Sequence, residues 1–116
     1  MALARQAGSK YHAHKTVVDG ITFDSKREAK RYGELKLLER SGAISDLRRQ
    51  VRYELIPAFD VQGKHYRPTS YVADFVYVDA KTGTEVVEDV KGYRTDVYRL
   101  KAKLFAAKFG VSIRET

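Results

Sequence analysis

The most constraining stretch of this sequence is the pair of apolar runs Tyr71–Asp79 and Thr84–Lys91, joined by Ala80-Lys81-Thr82-Gly83. A run that is apolar on both sides marks a strand covered on both faces of a sheet. A short connection with a glycine turns the chain back as a hairpin. Counting back from an Asp79–Thr84 pair sets Asp74 opposite Asp89 and Val72 opposite Lys91. Alternation assigns Val72, Asp74, Val76 and Val78 to one face of the first strand. In the second strand Glu85, Val87, Asp89 and Lys91 share one face, and Val86, Glu88 and Val90 the other. Carboxylates directly opposite in a sheet repel, with Cβ atoms roughly 4.5–5.5 Å apart, and burying either one unpaired is costly. A cation between them removes both penalties. All-oxygen ligands in a chain without cysteine suit a hard ion, Mg²⁺ or Mn²⁺. The ordinary alternative is a solvent-facing edge hairpin whose acids pair with Lys91, and a one-residue slip would move Asp89 to the other face.

The rest of the chain supplies elements to cover such a sheet. Residues 1–15 are small, polar and basic, the composition of a flexible arm, and 16–116 read as one domain. Val17–Phe23 is β-like and turns at Asp19-Gly20. Asp24 or Ser25 caps a helix on which Ala29, Tyr32, Leu35 and Leu38 recur at helical spacing, stopped at Ser41-Gly42. Val51, Tyr53 and Leu55 alternate with Arg52 and Glu54 in a half-exposed strand closed by Pro57, and Gly63 falls in a turn. A second helix runs from about Asp96 to Phe109, with Thr95 or Asp96 as cap and Gly110 as stop. Val111–Ile113 is the candidate for a last edge strand. The order is that of an α/β fold, one sheet with flanking helices.

Each helix carries a charged residue on its apolar face. Glu28 lies between Tyr32 and Leu35 on the helical wheel, so it either interacts favourably with the helix N-terminus or points into the site as ligand or water-binder. Glu34 lies further to the side, and Glu88, facing away from Lys91, reads as structural. Lys101 falls among Val97, Leu104 and Phe105, where a lysine either snorkels to water or reaches a scissile phosphate with Tyr98 beside it. Lys91, two residues from Asp89, is placed to orient a water or offset charge on a transition state.

Charge points to the partner. Lys and Arg number 22 against 15 Asp and Glu, a net +7, which favours a polyanion. Lys10, Tyr11 and Lys15 of the arm, Lys26, Arg27 and Lys30 of the first helix, and Arg94 and Tyr98 near the second are candidates to follow DNA phosphates. No apolar run approaches the roughly 18 residues that span a membrane, so a cytoplasmic location is expected.

Glu28 on a first helix, Tyr71-Val72-Ala73-Asp74-Phe75, Val87-Glu88-Asp89-Val90-Lys91-Gly92 and a basic helix together resemble the PD-(D/E)XK nuclease superfamily. The resemblance covers about residues 15–110. Gly20-Ile21-Thr22-Phe23-Asp24-Ser25-Lys26-Arg27-Glu28-Ala29 is similar to a compact, phage-associated branch in which small Holliday-junction resolvases occur. It implies an αβββαβ, restriction-endonuclease-like core with a central mixed sheet. By position, Asp74 and Asp89 stand for the motif acids, Lys91 for the motif lysine and Glu28 for the helix-one acid. Ala73 replaces the motif proline, and the second acid is Asp rather than the commoner Glu. The implied activity is Mg²⁺-dependent phosphodiester hydrolysis leaving a 5′-phosphate, in the host cytoplasm if the protein is phage-encoded.

A chain this short has no separate sequence-reading domain and no helix-turn-helix or zinc-finger signature, so structure-selective cutting is expected over sequence-selective cutting. A homodimeric endonuclease acting on branched DNA, of the Holliday-junction resolvase kind, is the leading expectation, because a four-way junction needs two symmetric cuts. The alternatives are a general recombination or repair nuclease on flaps, ends or single strands, and a catalytically silent nucleic-acid-binding module.

Overall fold

A small hairpin opens the part of the chain described by the computed structural model, residues 15–91 and 93–116. Strands β1 (Thr16–Val18) and β2 (Ile21–Phe23) pair antiparallel. Their Asp19-Gly20 turn has φ of 52° and 74°, the left-handed pair whose twist suits a two-residue hairpin. Helix α1 (Lys26–Ser41) follows, its first turn capped by the Ser25 side chain, which accepts the Glu28 N–H at 3.1 Å. Gly42, at φ 85°, ends it in the left-handed conformation that glycine adopts freely. The stripe Ala29, Tyr32 and Leu35 is buried against Phe23, Ile44, Phe75 and Tyr77.

The sheet is built from β3 (Ile44–Ile56), β6 (Thr69–Asp79), β7 (Glu85–Asp89) and β8 (Arg114–Glu115), side by side in that order. The first three are antiparallel neighbours and β8 runs parallel to β7, so the sheet is mixed. Between β3 and β6 the chain forms a separate hairpin, β4 (Phe59–Val61) and β5 (Lys64–Tyr66). Helix α2 (Asp96–Phe109) is capped by Thr95 and ended by Gly110 at φ 67°. It packs Tyr98 and Phe105 on the sheet face opposite α1, against Leu55, Tyr71, Ala73, Val76 and Val87. The result is a mixed α/β structure with one helix on each face of a central sheet. Among the described residues no helix is long and apolar enough to cross a membrane.

Four expectations need correction. The strand expected from Val51 begins at Ile44; a register shift between Ser45 and Arg48 and left-handed Asp46 and Gln50 (φ 55° and 52°) interrupt the alternation that would have revealed it. The turn around Gly63 belongs to the full β4–β5 hairpin. The last strand lies at Arg114–Glu115, where it can reach Glu88 and Asp89, rather than at 111–113. Finally, the faces of β6 do not alternate strictly: Tyr71 and Ala73 pack under α2, whereas Phe75 and Tyr77 pack under α1. The reversal falls at Asp74, level with the left-handed Gln50 between the Arg49–Phe75 and Val51–Ala73 pairs.

One ionic knot ties α1 to the sheet. Glu88 is fully buried, and its carboxylate accepts Arg31 Nε at 2.6 Å and Nη2 at 3.0 Å, the Tyr77 hydroxyl at 2.6 Å and the Thr116 hydroxyl at 3.0 Å. Burial alone would push the carboxyl up, but these donors hold it below its ordinary range. Glu88 is therefore a structural residue. Removing one partner of a buried pair leaves an uncompensated charge and typically costs about 3–5 kcal/mol. Arg31→Ala is expected to lower unfolding stability by about that much, read from denaturant midpoints; a change below about 1 kcal/mol would show that the knot carries little of the α1–sheet attachment.

Candidate functional site

The register expected for the central hairpin is the one found. Val78 pairs with Glu85, Val76 with Val87 and Phe75 with Glu88, and beyond the turn the Asp79 N–H donates to Thr84 O at 2.9 Å. Continuing one step brings Asp74 level with Asp89. Asp74 Oδ2 accepts the Val90 N–H at 2.9 Å, so its carboxylate is held against the end of β7. Asp89, which is 2% exposed, accepts the Tyr71 hydroxyl on Oδ2 at 2.7 Å and has Lys91 Nζ 3.5 Å from Oδ1.

Glu28 reaches the same place from α1. Gln50 Nε2 lies 3.2 Å from Glu28 Oε2 and 3.4 Å from Asp74 Oδ1, linking helix and strand acids. Arg49 Nη2 stands 3.9 Å from Glu28 Oε2, with its guanidinium 4.5 Å above the Phe23 ring. The Arg49 Nε is buried and has no hydrogen-bond partner among the described residues. Asp74 thus stands between Glu28 and Asp89 where β6, β7 and the start of α1 meet, and Lys91 and Arg49 oppose their charge.

The electrostatics follow. Burial, then Asp74, raise the Asp89 carboxyl to about 7, against the pull of Tyr71 and Lys91. Burial, again followed by Asp74, raises Glu28 to about 7, with Arg49 and Gln50 opposing. Strands fixed by backbone pairing cannot move these acids apart, so protons relieve the repulsion when no cation does. No group of three or more acids or histidines among the described residues stands close enough to hold a metal ion by itself. The donor set still fits a hard ion that takes two carboxylates and completes its shell with water and substrate oxygens, the usual habit of Mg²⁺.

Lys91 is aimed by its surroundings. Its ammonium lies 4.4 Å from the centroid of the Tyr98 ring, and the Tyr98 hydroxyl donates to Glu115 Oε2 at 2.8 Å. Tyr98 is 6% exposed and lines the cleft beside Asp89 and Lys91, with its ring under the Lys91 ammonium. Lys91 and Asp89 open on a cleft of about 350 Å³ that is also lined by Arg52, Tyr71 and Lys101. Lys101 therefore shares the cleft with the acid–lysine pair.

The basic candidates lie around this centre. Lys26, Arg27 and Lys30 are exposed and line a second cleft with Arg31, Glu34, Val90 and Thr116. Its contact with Val90 puts it across the end of β7 from the first. Glu34 is exposed and pairs with Arg31, away from the acidic cluster. Lys15 is exposed and pairs with Asp24 at 3.6 Å, and Arg94 pairs with Glu115 at 2.5 Å. Lys10, Tyr11, the rest of the expected arm to residue 14, and Gly92 lie outside the described residues. Sequence reasoning missed Arg49, Gln50 and Tyr71 as site residues. The available signal was the polar Arg48-Arg49-Gln50 run just before the alternating Val51–Leu55, which gains meaning only once that strand is known to continue upstream beside Asp74.

Fold and site together define a small α/β protein with an acidic cluster and an aimed lysine where the end of β7 meets the middle of β6. The chain belongs to the family described as "Protein of unknown function (DUF1064)", whose model matches residues 8–115. No curated protein and no solved structure matches it.

Raised carboxyls make a stability signature. A group whose folded pKa is about 7, against an unfolded value near 4, binds more protons when folded, so stability falls as pH rises through that window and levels off above it. Without divalent metal the protein is expected to melt at a lower temperature at pH 8 than at pH 5. Asp89→Asn should flatten that slope, and an unchanged slope would mean that Asp89 does not carry the strain.

Proposed function

We propose that this protein is a divalent-metal-dependent DNA endonuclease of the PD-(D/E)XK kind, with Asp74, Asp89 and Lys91 at its centre. The observation that carries the reading is the meeting of Asp74, in the middle of β6, with Asp89, at the end of β7, while Gln50 joins Glu28 to Asp74 and Lys91 stands beside Asp89 over the cleft. A binding module has no need of buried carboxyls, Glu28 and Asp89, that burial and the neighbouring Asp74 push up, whereas a site for a cation and a phosphate does.

In this reading Asp74 and Asp89 hold Mg²⁺ or Mn²⁺, with Glu28 as a third ligand or through a water. The ion supplies charge neutralisation at the phosphate and acidifies a water. The chain's own residues do the rest. Tyr71 fixes Asp89 by occupying Oδ2, which leaves Oδ1 toward the cleft and Lys91. Lys91, resting on Tyr98, presents its ammonium to a non-bridging phosphate oxygen, where negative charge builds as water oxygen bonds to phosphorus and the 3′-oxygen leaves. That cleavage leaves a 5′-phosphate. Where Glu28 acts through a water rather than as a direct ligand, its carboxylate would be placed to take the proton from that water. Lys101 and Arg52 across the cleft, and Lys26, Arg27 and Lys30 on the other side of β7, are placed to hold neighbouring phosphates. The leading substrate is branched DNA cut by a homodimer, in the manner of a Holliday-junction resolvase.

The test is cleavage of a labelled four-way junction beside a linear duplex, with Mg²⁺, Mn²⁺ or EDTA. Symmetric cutting of the junction by wild type, lost in EDTA and abolished in Asp74→Ala and Asp89→Ala, is expected. Lys91→Ala should still bind metal but turn over at least about 100-fold more slowly, as for removal of one transition-state donor. Cutting by either aspartate variant at the wild-type rate would refute the assigned centre, and preference for the linear duplex would refute the junction assignment.

Because proton and cation compete for Asp89, the acid limb of the pH–rate profile should move to lower pH as Mg²⁺ is increased. An acid limb that stays fixed across a wide range of Mg²⁺ would place the essential ionisation elsewhere.

A further inference from the structure

The β4–β5 hairpin has no part in the core. All six of its strand residues are exposed, and neither buried cluster includes any of them. It extends the β3–β6 ribbon past its last pair, Ile56–Thr69, and the chain's two prolines, Pro57 and Pro68, stand at its base, one on each side. Proline fixes φ, so the projection has a stiff root. Gln62 and Gly63 make its tip with φ of 50° and 77°.

Its two faces differ. Asp60 and His65 pair on one, at 3.0 Å. Phe59, Val61, Lys64 and Tyr66 share the other, where Phe59 and Tyr66 are cross-strand partners with rings stacked 4.8 Å apart at 10°. Phe59 is 43% exposed, Val61 49% and Tyr66 40%. Lys64 Nζ lies 5.0 Å from the Tyr66 centroid, and Arg67 follows at the base. The two rings stack on each other and stay partly exposed, and an exposed aromatic pair edged by cations is chemically matched to nucleobases and the phosphates that carry them. The single acid of the hairpin is turned to the other side.

Position adds to composition. The root of the hairpin leads into Thr69–Tyr71, at the end of the sheet that holds Asp89 and Lys91, and Ser70 and Tyr71 line the Asp89–Lys91 cleft. Tyr66 precedes Asp74 by eight residues, no more than about 26 Å of extended chain at roughly 3.3 Å per residue. Along a DNA strand that is within about eight nucleotides, at 3.4 Å each.

We propose that the β4–β5 hairpin recognises unstacked bases at a discontinuity in DNA, stacking them on the Phe59–Tyr66 face while Lys64 and Arg67 meet the adjoining phosphates. This deepens the nucleic-acid reading of the site and rests on it, but not on catalysis. A regular duplex keeps its bases stacked and offers such a face nothing; a fork, flap or opened branch point does. The hairpin thereby selects structure while the acidic centre does chemistry.

The test is equilibrium binding of the full chain in EDTA to a splayed fork carrying 2-aminopurine at an unpaired position, beside a linear duplex of the same sequence. Wild type should prefer the fork and change the 2-aminopurine fluorescence on binding. Phe59→Ala/Tyr66→Ala should lose that change and weaken fork binding by at least about tenfold, the scale of losing base stacking, with duplex affinity within about twofold. Melting temperature within a few degrees of wild type confirms that the core is intact, since the hairpin lies outside it. Lys64→Ala should weaken fork binding and reduce its salt dependence, with the smaller effect on duplex. An unchanged fork affinity in the double variant would overturn the proposal. So would a drop in oligomeric mass with fork binding retained, which would assign the face to a second copy of this chain. If the fork is bound and selected but never cut in Mg²⁺ or Mn²⁺, the hairpin proposal stands and the nuclease reading fails.

Discussion

The register of β6 against β7 is the constraint on which the rest of the structure depends. Asp79 and Thr84 close the turn, and backbone pairing carries that alignment along the strands until Asp74 and Asp89 meet. Strand backbones cannot shift by a fraction of a residue, so the carboxylates are committed to each other's company. Everything nearby answers that commitment: Tyr71 and the Val90 amide take one oxygen of each acid, Gln50 bridges to Glu28, and Lys91 is propped on Tyr98.

Adjacent residues of β7 show two solutions to one electrostatic problem. Glu88 and Asp89 face opposite sides of the sheet, and both are buried. On the α1 side Arg31 forks onto Glu88 and the carboxyl stays ionised below its ordinary range. On the other side Asp89 meets a second acid and a lysine held at 3.5 Å, and burial drives its carboxyl up to about 7. One acid is thus met by a full set of donors, whereas the other keeps a neighbouring carboxylate as well as a lysine.

Much of this was legible in the sequence because the decisive signals are local. The central hairpin needs only a period of two and a turn; both helices announce themselves by caps at Ser25 and Thr95 and stops at Gly42 and Gly110. Glu28 was legible because a helical wheel places it on the buried stripe. What escaped depends on long-range geometry. The upstream half of β3 is masked by left-handed Asp46 and Gln50, which break the alternation a strand would show. The reversal of β6 at Asp74 has no local signature, because Tyr71-Val72-Ala73-Asp74-Phe75 reads as regular. The packing of Tyr98 under Lys91 and its bond to Glu115 have no local signature either, because both partners are distant or off its helix. The β4–β5 hairpin was reduced to a turn because three-residue strands carry too little pattern to be seen singly.

That hairpin touches little but itself, and its two prolines isolate it from the ribbon below. A segment in that position can be lengthened, shortened or resurfaced without altering the strand alignment that sets the acids. Length and surface there are decoupled from the strand pairing that brings Asp74 and Asp89 together, so the projection and the acidic cluster answer to separate constraints.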